Sequence, residues 1–104
     1  MRSLFGNRAL LPSVLALTLL TGCGNTVYLL SMDTAEGRLE EAQSVDAERH
    51  APYEYYSAQA RITEAKRQAA EAEYGAAAEL ADEASKFAAD ATKKTQAARL
   101  RSKQ

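Results

Sequence analysis

The sequence contains few of the residues that catalysis, metal binding or disulfide bonding requires. It has one cysteine, one histidine and no tryptophan in 104 residues. One cysteine cannot form an internal disulfide or hold a metal cluster, and Cys23 and His50 have no recognisable third group to complete a nucleophilic site. There is also no Gly-rich phosphate loop and no Ser-His-Asp set. We therefore predict no enzymatic activity, no metal site and no cofactor.

Residues that break helices are also scarce. The chain has two prolines and five glycines. Alanine dominates after residue 23, with glutamate, lysine and arginine interspersed, and β-branched residues do not alternate with polar ones as they do in strands. This composition predicts an all-α fold. The net charge of -1 gives no excess of positive charge, so nucleic-acid binding is not expected.

The amino terminus has the organisation of a secretory signal. Residues 1–8 carry two arginines and no acidic residue, and residues 9–20 are almost wholly apolar. Small residues follow at Thr21 and Gly22. The apolar run is shorter than the roughly 20 residues that a helix needs to cross a bilayer. The pattern therefore predicts a signal peptide over residues 1–22 instead of a permanent span.

The residues Leu20-Thr21-Gly22-Cys23 resemble the lipobox of bacterial lipoproteins. The resemblance implies cleavage between Gly22 and Cys23, followed by acylation of the cysteine sulfur and of the new amino group. Three acyl chains would anchor the protein permanently, whereas one chain binds a membrane only marginally. Gly24 lacks the aspartate that favours inner-membrane retention in enterobacterial lipoproteins, so the resemblance implies the outer membrane, facing the periplasm. The alternative is a secreted protein with a free thiol.

A tether and a first helix are expected after the cysteine. Residues 23–32 should form a lipidated tether, whose apolar segment 27–30 either touches the membrane surface or docks on the helices. Asp33 and Glu36 have the spacing of an acidic capping box, which predicts that helix 1 begins at Asp33. Its thin stripe follows a spacing of three and four residues at Ala35, Leu39, Ala42 and Asp46, and Val45 flanks it. Pro52 suits the first turn of a new helix and therefore separates helix 1 from helix 2.

Two alanine-rich seams follow Pro52, and their phases differ by one residue. The first is Ala58, Ile62, Ala65, Ala69, Ala72 and Ala76. The second is Ala77, Ala81, Ala84, Ala88, Ala91, Thr95 and Ala98. Both have the alternating spacing of heptads, and the register breaks around Gly75. One long helix with a one-residue skip in its heptad register would favour a homo-oligomeric coiled coil. A turn would instead give an antiparallel pair of helices. The phase shift between the seams favours the turn.

Residues 33–104 are thus predicted to form one alanine-rich helical domain. Its helices are expected at about 33–50, 52–72 and 76–100. A chain with two or three such helices would form an antiparallel helical hairpin or a small bundle, because a thin alanine seam needs a partner helix to cover it.

Part of this domain, from Ala47 to Ala84, resembles a periplasmic helical family known as domain of unknown function 4398. The positions that match its "A..yAP..l..A" element are Ala47, Ala51, Pro52, Tyr53 and Ala58. In that family a Gly-Asp-Tyr-like turn precedes a second alanine-rich helix. Ala72-Glu73-Tyr74 is similar to it, with alanine in place of glycine. The resemblance implies a fold and a compartment, and it implies no biochemical role.

Two groups of side chains are candidates for binding a partner. The aromatic group is Tyr53, Tyr55, Tyr56 and Tyr74. It either forms a stacking surface for a glycan or peptide or fills the junction between alanine-packed helices. The basic group is Lys93, Lys94, Arg99, Arg101 and Lys103. It either stabilises the end of the last helix and meets acidic helix 1, or it contacts an anionic partner such as peptidoglycan.

These patterns together predict a lipid-anchored periplasmic helical protein with a structural or adaptor role at the cell envelope. Its membrane contact would be the acylated Cys23, and its partner would be an envelope component. The alternative is a binding module, in which the helical surface captures peptidoglycan or an envelope-assembly partner.

Overall fold

The computed structural model describes residues 25–104, which form helices joined by short turns. Helix α1 covers residues 25–44 of this part. It is followed by α2 (Ala47–His50), α3 (Pro52–Ala70) and α4 (Tyr74–Ser102). No strand occurs between residues 25 and 104. The predicted all-α fold is therefore confirmed.

The three long helices form a bundle in which α3 runs antiparallel to both α1 and α4. Ion pairs join Glu54 to Lys94 and Arg61 to Glu83, so the paired residues follow opposite orders along α3 and α4. Helices α1 and α4 are consequently parallel. We call the end with the first turn of α1 and the α3–α4 turn (residues 71–73) the proximal end. The distal end contains the corner between α1 and α3 (residues 45–51) and the last turns of α4.

The core consists mainly of alanine. In α3 the first seam is buried at Ala58, Ile62 and Ala65. In α4 the second seam is buried from its first member through Thr95 (Ala77, Ala81, Ala84, Ala88, Ala91 and Thr95). Both predicted seams therefore face the core, although the last two members of the first are exposed because α3 has already ended. Small side chains let the helix axes approach closely, and the core has few large side chains.

The antiparallel pair expected after Pro52 is confirmed, but its turn lies three residues before Gly75. Helix α3 ends at Ala70, and Ala72 has a φ of 61°. The Glu73 amide donates to the Gln68 carbonyl over 2.9 Å, and the Ala72 amide donates to the Ala69 carbonyl over 3.0 Å. These two bonds define a Schellman motif, whose left-handed residue is usually glycine. Here that residue is alanine, whereas Gly75 lies in the first turn of α4 without a positive φ.

The segment predicted as a tether is helical where the structure describes it. Residues 25–32 form the first two turns of α1, so helix 1 does not begin at Asp33. The Thr34 hydroxyl donates to the Leu30 carbonyl over 3.1 Å inside the helix, so both residues belong to α1. Tyr28 and Met32 pack against the core. They extend the buried stripe of α1 by one heptad repeat toward the amino terminus. Residues 23 and 24 lie outside the described part.

A corner interrupts the helix predicted over residues 33–50. Residues 45 and 46 form a turn, and Asp46 has a φ of 65°. Aspartate tolerates this left-handed conformation better than most residues. The turn shifts the buried face by one position, so Ala47 is fully buried and Asp46, predicted to continue the stripe, is partly exposed.

Candidate functional site

The predicted aromatic group does not form one site. Tyr74 lies at the proximal end, where its ring centroid is 6.1 Å from that of Tyr28. Tyr53, Tyr55 and Tyr56 lie in the first two turns of α3, at the distal end. Tyr74 therefore belongs to a separate contact between α1 and α4.

Two of the distal tyrosines are held by contacts within the bundle. Tyr55 is buried, and its hydroxyl accepts a hydrogen bond of 2.8 Å from the Gln43 amide of α1. The half-exposed Tyr56 donates its hydroxyl proton to Glu48 over 2.6 Å. This bond favours the protonated phenol and raises the pKa of Tyr56. Both side chains join α3 to the corner, as expected of rings that fill a junction between helices.

Among the aromatic residues between positions 25 and 104, Tyr53 is the one most available to a partner. It is 71% exposed, and its ring meets Phe87 of α4 edge-to-face with centroids 6.2 Å apart. The Arg61 guanidinium lies 4.3 Å from the centre of the Phe87 ring. We call Tyr53, Phe87 and Arg61 the aromatic patch. It is a surface cluster across α3 and α4, and Phe87 is only partly buried in it.

Two of the predicted basic residues are used inside the molecule. Lys94 forms an ion pair with Glu54, whose side chain is 10% exposed. This hydrogen-bonded pair lowers the pKa of Glu54 and raises that of Lys94. The Arg99 guanidinium donates to the Val45 carbonyl over 2.7 Å and fastens the end of α4 to the corner. Both residues therefore help to hold the bundle together.

Lys93 lies in a groove between the parallel helices α1 and α4. This open groove, of about 630 Å³, also contains Arg38 from α1 and Lys86 from α4. Among residues 25–104, none of these three cations has a carboxylate within ion-pair distance. We call Arg38, Lys86 and Lys93 the basic groove. Lys86 and Lys93 are seven residues apart, which places them on the same side of α4.

The other two grooves of the bundle differ from the basic groove. Lys66 and Glu36 form an ion pair of 3.3 Å across the α1–α3 groove. The α3–α4 groove is crossed by the pairs Glu54–Lys94 and Arg61–Glu83. No such pair crosses the α1–α4 groove in the described chain, although Asp82 lies on its wall. Unpaired positive charge is therefore concentrated on one side of the bundle.

Arg101 and Lys103 add positive charge at the distal end. Both are exposed, and neither has an ion pair among the described residues. Helix α4 has 29 residues, and a helix of that length spans about 43 Å. These two charges consequently lie far from the proximal end.

Arg38 and Lys86 were not among the basic residues predicted from the sequence. Arg38 reaches the groove only because α1 and α4 run parallel, which no local pattern reveals. The seven-residue spacing from Lys86 to Lys93 was a usable signal, although it required knowing which side of α4 is exposed. Ammonium and guanidinium groups beside the hydroxyl of Ser31 are suited to carboxylate or phosphate groups.

The described part of the chain contains neither a metal cluster nor a membrane-spanning helix. Between residues 25 and 104, no group of three or more His, Cys, Asp or Glu side chains could hold a metal ion. None of the helices described there is both long and apolar enough to span a bilayer. Comparison of the chain with protein-family models, curated proteins and solved structures finds no match.

Proposed function

We propose that the protein is a lipid-anchored component of the cell envelope, with a structural or adaptor role on the periplasmic side of the outer membrane. Acylation of Cys23 would hold the proximal end at the membrane. The observation that supports this proposal is the contrast between the two ends. Residues 25–32 carry no charge, whereas the distal end carries Arg99, Arg101 and Lys103.

The position of α1 makes the anchor and the bundle nearly continuous. Helix α1 is already formed at residue 25, two positions after Cys23. Only Gly24 therefore separates the acylated residue from the described part of α1. The bundle would act as a short spacer. It would hold its basic end about 43 Å from the anchor, which is the length of α4.

The proposed anchor is tested by replacing Cys23 with serine in the full chain. We expect Cys23→Ser to prevent processing and to release the protein from membranes. Mass spectrometry of the wild-type protein should show an acylated amino terminus at Cys23. An unmodified Cys23, or cleavage at another position, would refute the anchor. Sucrose-gradient fractions that contain the protein together with inner-membrane markers would refute the outer-membrane location.

The second candidate function is a binding module for peptidoglycan, and the basic groove supports it. Stem peptides of peptidoglycan carry carboxylates, which unpaired lysine and arginine side chains attract. Such binding would weaken as salt screens the charges. The groove also runs along the bundle axis, so an extended anionic chain would contact several of its cations.

Pull-down with purified sacculi separates the two functions. A triple variant, Arg38→Gln, Lys86→Gln and Lys93→Gln, removes the charges of the basic groove. The matched control changes three cations that already have carboxylate partners: Arg49→Gln, Lys66→Gln and Arg67→Gln. Loss of retention in the first variant alone would support the binding module. Absence of retention in the wild-type protein would favour the adaptor, whose protein partner is then sought by crosslinking in intact envelopes.

A further inference from the structure

Three large apolar side chains are exposed within the first described turns of α1. Val27 and Leu29 are each 56% exposed, and Leu30 is 65% exposed. We call Val27, Leu29 and Leu30 the apolar collar. Tyr28, which lies between Val27 and Leu29, packs against the core instead, and Met32 is buried in it. The collar is therefore additional to the residues that the bundle needs for its own packing.

The collar covers a wide part of the helix circumference. At 3.6 residues per turn, its three side chains spread over roughly 160° of the helix surface, and Leu30 lies at the edge of the groove between α1 and α4. The apolar stripe that packs against one partner element is typically about 100° wide. A lipid phase that surrounds the end of the helix would cover all three side chains at once.

Residues around the collar set a limit on its depth. Residues 25–32 include no charged side chain, and Asp33 is the first. At the same end, Glu71 and Glu73 in the α3–α4 turn are exposed, and such carboxylates stay in water. Tyr28 and Tyr74 lie against each other there, and tyrosine is enriched at membrane–water interfaces. From residue 25 to Leu30 the helix rises about 8 Å, which matches the depth of roughly 5–10 Å reached by interfacial helices.

We propose that the apolar collar enters the interfacial region of the bilayer, so that the bundle stands on the membrane on its proximal end. This inference rests on the proposed lipid anchor, because acylated Cys23 lies only four residues before Val27. The collar adds what the acyl chains alone do not provide, namely a fixed orientation. Lipid would hold the protein at the surface, and the collar would keep α1 and α4 directed away from it.

The absence of tryptophan from the chain makes a direct test available. Leu30→Trp and Leu100→Trp each introduce one fluorescent reporter at a leucine of equal exposure, 65% and 66%, at opposite ends of the bundle. The full lipidated protein is extracted from membranes and reconstituted into phosphatidylethanolamine–phosphatidylglycerol vesicles, with and without brominated acyl chains. Val27→Trp provides a second reporter on another side of the collar.

We expect the emission of Leu30→Trp and Val27→Trp to shift to shorter wavelength in vesicles and to be quenched by bromine. Leu100→Trp should show neither effect. Quenching should be stronger when the bromine is near the headgroup end of the acyl chain than when it is near the terminus. Equal quenching at Leu30 and Leu100 would mean that the bundle lies flat and would overturn the proposal.

Absence of quenching at the two collar positions would also overturn it. A blue shift without quenching that grows with protein concentration would point to a second copy as the occupant, again against the proposal. Mass spectrometry of the same samples reports on Cys23 separately. An unmodified Cys23 would refute the anchor, while the contrast between Leu30→Trp and Leu100→Trp would still decide whether the collar contacts lipid.

Discussion

Replacing Ala72 with glycine should stabilise the protein, although most changes from alanine to glycine in a helical protein destabilise it. Ala72 is the left-handed residue of the turn between α3 and α4, with a φ of 61°. Its side chain is exposed, so its removal costs no packing. The change therefore acts through the backbone alone.

The expected size of the effect is the difference between two backbone contributions. The left-handed conformation costs a residue other than glycine roughly 1–2 kcal/mol. Glycine gains more freedom than alanine in the unfolded chain, which offsets this by about 0.4–1 kcal/mol. The net gain in the free energy of unfolding should be about 0.5–1 kcal/mol, and each kcal/mol raises the melting temperature of a domain of this size by about 4–8 °C.

The assay is urea and thermal denaturation of the soluble chain from Gly24 to Gln104, followed by far-ultraviolet circular dichroism. Ala60→Gly is the matched control, because Ala60 is also exposed but lies in the middle of α3. There glycine should destabilise by roughly 0.5–1 kcal/mol. The same chemical change is thus expected to have opposite signs at the two positions. If Ala72→Gly destabilises the protein as much as Ala60→Gly does, the result would contradict the left-handed backbone conformation of Ala72.

Three further changes test the core, the helices and the partly buried ion pair between Glu54 and Lys94. Ala84→Leu should destabilise by about 1–3 kcal/mol through overpacking, whereas Ala97→Leu at an exposed position should have little effect; equal melting temperatures would contradict a close-packed seam. Gly37→Ala should raise the free energy of unfolding by about 0.5–1 kcal/mol, because an added Cβ meets no atom within 4 Å; a loss of stability would contradict that open surface. The lowered pKa of Glu54 means that its pairing with Lys94 stabilises above the ordinary value of 4.5 and is lost as pH falls through the folded pKa. Wild type should therefore be more stable than Glu54→Gln at neutral pH and should lose that advantage in acid; a gap that does not depend on pH would refute the role of the pair.

The core could be predicted from the sequence because its pattern is local. The alternation of three and four residues from Ala77 to Thr95 places these side chains on one side of a helix without any knowledge of the partner helix. The same spacing of four and three residues predicts that Ala58, Ile62 and Ala65 lie in the core. Heptad spacing thus identified the buried faces of both α3 and α4.

The remaining features depend on tertiary contacts or on exceptions to residue preferences. The phase shift between the two seams predicted a turn near Gly75, whereas the left-handed residue that ends α3 is Ala72, at a position where glycine is usual. Tyr28 becomes part of α1 because it packs against the core and Tyr74, which a capping pattern at Asp33 does not anticipate. Arg38 joins the basic groove only through the parallel arrangement of α1 and α4.

The number of long helices determines at which end of the bundle α4 finishes. With three helices, each antiparallel to the one before, α4 finishes at Ser102 at the end opposite to residue 25, whereas two or four helices would finish at the same end. A load applied between a lipid at Cys23 and a partner held at Arg101 would pull the parallel helices α1 and α4 past each other. Contacts along the whole length of the bundle would then resist in shear at the same time, instead of opening one after another from one end.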